Sequence, residues 1–244
     1  MKRIGRLVAL VSAAALLAGA CAGGQQASST DPDEGQAPLP TIGIDTDLGL
    51  FTGGVEIREI DVGEVDSVVM IGDSITVGAQ PLIEEQFSAL GFDEVIVVAQ
   101  NSKRTAVSFG DNSSGADIAA SIAGGGDRGD EQLWVVALGT NDIGQYASSD
   151  DVAAQVRSVL AEIPDGAPVV WINTYFAARP EDTSTVNAAI QQTLADRGNS
   201  IVGRWDQIAG VDGVLRGDGV HPNAEGAKVF AAFVTTTVAD FLAS

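Results

Sequence analysis

The sequence predicts a three-layer α/β/α sandwich around a mainly parallel, five-stranded sheet, and three observations predict it. Short β-branched runs recur from Asp66 onward. Each run is too brief for a buried helix but suits a strand covered on both faces. Stretches with helical spacing separate the runs, and strand–helix alternation of this kind builds a parallel sheet with helices on its faces.

The elements follow in order. Val68 to Ile71 forms the first strand, and Ile83, Phe87 and Leu90 then share one face of a helix. Val95 to Val98 and Leu133 to Leu138 are the second and third strands. Val152, Val156, Val159, Leu160 and Ile163 make the next helical stripe. Val169 to Ile172 and Ile201-Val202 complete the five strands, and Ala227, Phe230, Val234, Val238 and Phe241 mark a last helix. A chain of 244 residues, 45% hydrophobic, supplies one sizeable core. The domain is expected to span 63–244.

Residues 42–62 read as an N-terminal extension packed on that domain, with Val55, Ile57 and Ile60 suggesting a strand. Residues 21–41 lack aromatic side chains and are dense in Gly, Gln, Ser, Asp and Pro, so they read as a flexible tether. Residues 1–20 carry Lys2 and Arg3, an apolar stretch from Leu7 to Leu17, and then Ala18-Gly19-Ala20 before Cys21. That order is the order of an export signal, and its apolar run is too short to span a bilayer comfortably. It resembles a bacterial lipoprotein signal, in which Cys21 becomes the lipid-modified N-terminus, although Ala18 stands where such signals prefer Leu. The resemblance implies a cell-envelope location with membrane contact only through Cys21; simple secretion is the alternative. A single cysteine leaves no internal disulfide.

Thirteen Lys and Arg face 33 Asp and Glu, a net charge of −20, and loss of Lys2, Arg3 and Arg6 with the signal takes it to −23. So acidic a chain without a basic patch is unsuited to nucleic acid. It fits a neutral or cationic ligand, or simply keeps an exported protein soluble. Gly124-Gly125-Gly126 lacks the Lys-Ser/Thr of a phosphate loop. One histidine and one cysteine offer no zinc set, so neither metal nor cofactor is expected. A monomer is expected.

Ligand sites in parallel α/β sheets form at the carboxyl ends of strands. The first strand runs into Gly72-Asp73-Ser74, the third into Gly139-Thr140-Asn141-Asp142, and Asp218-Gly219-Val220-His221 leads into the last helix. A serine hydroxyl needs a neighbouring base, and imidazole, with a pKa of about 6.5, suits that work. His221 is the only imidazole in the chain. Asp218, three residues earlier on a turn, can hold the other ring nitrogen and so fix the tautomer. The Ser74 N–H and the Asn141 amide are candidate donors to a developing oxyanion.

GDS, GTND and DxxH, in this order at these strand ends, resemble blocks I, III and V of the SGNH (GDSL-like) hydrolase superfamily. The resemblance covers roughly 66–243. It implies a flavodoxin-like α/β sandwich, a cofactor-free serine esterase with Ser74 as nucleophile, Asp218 and His221 completing the triad, and Asn141 in the oxyanion hole. Block II normally supplies a glycine N–H as a further donor. Here the second strand is followed by Ala99-Gln100-Asn101-Ser102-Lys103-Arg104, with no glycine; a backbone N–H does not require one, so Ser102 and Lys103 are candidates and the donor is left unassigned. Arg104, Trp171-Ile172-Asn173-Thr174 and Asp218-Gly219-Val220-His221 are most similar to the SGNH domains of bacterial cell-wall O-acetyltransferases. That implies acetyl chemistry on a small-molecule or glycan ester, by hydrolysis or by transfer with a partner acyl donor.

Each residue also has a plainer reading. Ser74 is a good helix N-cap. Arg104 either holds a substrate carbonyl or carboxylate or pairs with a neighbouring acid. Tyr175 and Phe176 either line the acyl or glycan pocket or fill core. Asp142 is better read as a turn cap than as a substrate contact. A non-catalytic glycan-binding lipoprotein is the rival to an enzyme.

Overall fold

The computed structural model describes residues 65–126 and 131–244. The expected export signal, Cys21, the tether and the 42–62 extension lie outside the described residues.

Five strands form one sheet: β1 (Ser67–Gly72), β2 (Glu94–Ala99), β3 (Gln132–Ala137), β4 (Val169–Ile172) and β5 (Ser200–Gly203). Their spatial order is β2-β1-β3-β4-β5 and every neighbouring pair is parallel. This is the flavodoxin-like doubly wound order. The three inner strands are buried along their whole length, whereas edge strand β2 is half-buried throughout. Inner strands therefore read as unbroken apolar runs.

Alternate residues point to opposite faces. Val68, Met70, Leu133, Val135, Val170 and Ile172 pack with α1 (Ser74–Leu90) and α5 (Ala224–Leu242). Val69, Ile71, Trp134, Val136, Val169 and Trp171 pack with α2 (Gly115–Ala123), α3 (Ser149–Leu160) and α4 (Pro180–Arg197). These two half-cores make the three layers.

Helix α4 buries Val186, Ala189, Ile190 and Leu194, an apolar stripe at helical spacing that polar residues interrupt. The buried face of α4 includes Thr183 and Thr193, which read as polar. Their hydroxyls donate to the carbonyls of Arg179 and Ala189 four residues back, so both are buried without loss of a hydrogen bond. Helix α2 is short and buries only Gly115 and Ala119. A Cβ at Gly115 would collide with the Leu138 side chain, so α2 depends on small residues to approach the sheet.

Candidate active site

The site stands where the sheet reverses its winding, at the carboxyl ends of adjacent β1 and β3. Gly72 ends β1, and a Cβ there would strike the Thr76 side chain, so the turn into α1 is tight. Asp73, extended at φ −102° and ψ −155°, caps the helix: its Oδ1 accepts from the Ile75 N–H at 3.0 Å. The N-cap role weighed for Ser74 therefore belongs to Asp73. Ser74 is the first helical residue, where its own N–H has no intrahelical acceptor.

Ser74 Oγ lies 3.0 Å from His221 Nε2, and His221 Nδ1 lies 3.0 Å from Asp218 Oδ2. Asp218 Oδ1 accepts from the backbone N–H of both Val220 and His221 at 2.9 Å. These backbone donors, with the imidazole, hold the Asp218 carboxyl down at about 2. It is an anion at any working pH and keeps the proton of a neutral imidazole on Nδ1, leaving Nε2 as the acceptor facing Ser74.

The loop is shaped for this. Gly219 is left-handed at φ 69°, and a Cβ there would sit 2.9 Å from that of Ala177, whose N–H donates to the Gly219 carbonyl at 3.0 Å. The Arg216 N–H donates to the His221 carbonyl at 2.8 Å, and Asn223 caps α5 by accepting from the Gly226 N–H.

Ser74, Asn101, Ser102, Asn141, Arg216 and His221 share one cavity of about 560 Å³. Ser102 is left-handed at φ 60°, a conformation in which glycine is at ease. Ser102 thus stands in the block II segment with a backbone that a glycine would hold without strain. Its N–H has no acceptor among the described residues. Asn141 Nδ2 donates to the Lys103 carbonyl at 3.1 Å and lies 3.4 Å from Asp73 Oδ2. Burial pushes the Asp73 carboxyl up to about 6.

Lys103 is ruled out as a donor, and Arg104 and Tyr175 each resolve between the two readings the sequence left open. The Lys103 N–H donates to the Gln100 carbonyl at 3.3 Å, so it is no oxyanion donor. Its side chain is buried, with Nζ donating to the Ser113 carbonyl at 2.6 Å, and burial lowers the pKa of the ammonium. Arg104 does not line the cavity. Its Nε donates to Asp142 Oδ1 at 3.1 Å and its Nη2 to the Tyr146 hydroxyl at 2.9 Å, which leaves it a structural partner of Asp142. Tyr175 lines a second hollow with Phe176, away from Ser74, and also packs on the core.

Asp142 neither touches the cavity nor caps its own turn. It is buried and its Oδ2 accepts from the Thr105 N–H at 2.9 Å and hydroxyl at 2.7 Å, so the loop after β3 grips the loop after β2. Arg216, Asn101 and Val77 in the cavity wall carry no sequence signal, since each lies in an irregular segment or on an exposed helical turn.

The family model for the GDSL-like Lipase/Acylhydrolase family matches residues 70–229. The chain belongs to that family. No curated protein sequence matches it. This SGNH-type hydrolase shares its fold with several solved structures. One, described as TesA, is 18% identical with a TM-score of 0.56, covering 72% of this chain and 99% of that one. The catalytic domain of peptidoglycan O-acetyltransferase A from Streptococcus pneumoniae is 22% identical with a TM-score of 0.52, covering 73% and 97%. A carbohydrate acetylesterase family member from Sinorhizobium meliloti is 19% identical with a TM-score of 0.52, covering 73% and 100%.

Proposed function

We propose that this acylhydrolase is an exported esterase that removes an O-acyl group, acetyl above all, from a carbohydrate or cell-wall glycan through an acyl-enzyme on Ser74. The observation that carries the reading is the unbroken relay from Ser74 Oγ to His221 Nε2 and from Nδ1 to Asp218, each step 3.0 Å. Ser74 Oγ attacks the ester carbon as its proton passes to Nε2. The carbonyl oxygen becomes an oxyanion and is met by the N–H groups of Ser74 and Ser102 and by Asn141 Nδ2. Collapse breaks the bond to the sugar oxygen, which leaves with the proton from Nε2. Water then attacks the acyl-enzyme, giving its proton to Nε2, and the carboxylic acid departs as Ser74 regains the proton.

The glycan assignment is supported by the sequence resemblance to cell-wall O-acetyltransferase domains and by the acetylesterase and O-acetyltransferase among the structural neighbours. Transfer follows if a sugar hydroxyl replaces water. The charged, apolar and small-residue order before Cys21 supports export and lipid attachment there.

A fluorophosphonate should label wild-type protein at Ser74, and a short-chain nitrophenyl ester should be hydrolysed. Ser74→Ala is expected to lose both, by roughly 10⁴-fold or more in kcat. Equal turnover in the two proteins would sink the reading. Product analysis with an acetylated glycan then separates free acetate from acetylated sugar acceptor, and the mass of the mature N-terminus reports lipid on Cys21.

A further inference from the structure

The second hollow, about 410 Å³, opens where β4 and β5 end and shares no lining residue with the Ser74 cavity. We propose that it is a glycan subsite, binding a neutral sugar ring of the chain whose ester enters the Ser74 cavity. The proposal rests on the glycan reading above for its substrate, but not on catalysis.

Its lining combines the groups that a pyranose needs. Tyr175, Phe176 and Ala188 supply apolar contact for ring C–H faces. Polar groups for hydroxyls are already ordered. Arg204 holds Asp206 through two bonds of 2.9 Å, and Asn173 Oδ1 accepts from the Asp206 N–H at 3.0 Å. The ion pair cancels its own charge, so the hollow does not select for an ionic ligand.

Position links it to the ester. Both cavities lie along the carboxyl edge of the sheet, one by β1 and β3 and the other by β4 and β5. Two strand spacings separate those pairs, about 10 Å, the scale of a disaccharide. Ala177 lines the second hollow, and its N–H donates to the carbonyl of Gly219, in the loop carrying Asp218 and His221. A chain held in the second hollow would pass beside that loop to bring its ester to Ser74.

The test uses two unesterified neutral probes, the β-1,4-linked tetramers of N-acetylglucosamine and of xylose, titrated into the full protein and followed by backbone amide NMR shifts. The first stands for a cell-wall glycan and the second for a plant polysaccharide. At least one is expected to give saturable shifts at Phe176, Ser184 and Gln191. Phe176→Ala should weaken that binding fivefold or more, and the exposed Gln191→Ala by a smaller factor, with melting temperatures reported for both. Absence of saturable shifts there with either tetramer overturns the proposal, as does equal affinity in wild type and both variants. Binding by a wild-type protein that neither reacts with fluorophosphonate nor hydrolyses esters would support the subsite while refuting catalysis.

Discussion

The side-chain amide of Asn141 donates to the Lys103 carbonyl oxygen at 3.1 Å, tying the loop after β3 to the loop that carries Ser102. One amide hydrogen is spent on orientation. The other donates to Asp73 Oδ2 over a long 3.4 Å, a bond weak enough for a developing oxyanion to replace. Asn141→Ala is therefore expected to lower kcat by roughly 10² to 10³ with little change in KM, because the donor acts on charge that appears only in the transition state. Steady-state kinetics on an activated ester checks this. A change confined to KM would move Asn141 from the oxyanion hole to substrate binding.

Asp142 satisfies Thr105 twice and Arg104 once from a buried position. Asp142→Ala leaves these donors without their acceptor and should cost about 3 kcal/mol. For a chain of this size that corresponds to a fall of roughly 6 to 12 °C in melting temperature. Because the same loop presents Ser102, kcat should fall as well, and calorimetry with kinetics reads both. A variant that melts with wild type would show that the grip contributes nothing.

The triad and the sheet are legible in the sequence for physical reasons. Inner strands buried on both faces must be continuously apolar, and the chain has one imidazole, placed beside a carboxylate on a turn. Lys103 and Arg104 are not legible. Charge gives no hint that the left-handed turn at Ser102 precedes a lysine whose ammonium is bonded inside the 112–113 loop, or an arginine held by Asp142. Tyr175 lies at the correct sheet edge, but position along the chain does not say which of two cavities it enters. Helix α4 is faint because its apolar stripe of Val186, Ala189, Ile190 and Leu194 is extended by Thr183 and Thr193, which bond back to their own helix and so bury as readily as apolar residues.

Ser102 holds a backbone conformation that disfavours any side chain, at a cost of about 1 kcal/mol. Ser102→Gly removes that cost and keeps the N–H, so it should raise stability by roughly that amount, less the added freedom of the unfolded chain. Turnover should stay within a few-fold of wild type, because the donor is backbone. Urea titration and ester kinetics decide. A large loss of activity with a normal melting curve would mean that the Ser102 hydroxyl, not its N–H, acts in the site.

Asp73 carries the clearest pH signature. Burial raises its carboxyl from 3.8 to about 6, so between those values the folded protein holds a proton that the unfolded chain has released. Stability from this group is complete below pH 4 and is lost as the pH rises through about 6. The two-unit shift corresponds to about 3 kcal/mol at most. Asp73→Asn keeps an oxygen to cap the Ile75 N–H but cannot ionise. The variant should therefore gain on wild type from pH 4 to pH 7, by up to that amount. Urea midpoints at the two pH values measure the difference. Parallel wild-type and variant curves would mean that Asp73 is already ionised in the fold at pH 4, with Asn141 Nδ2 and the Ile75 N–H supplying more stabilisation than burial removes.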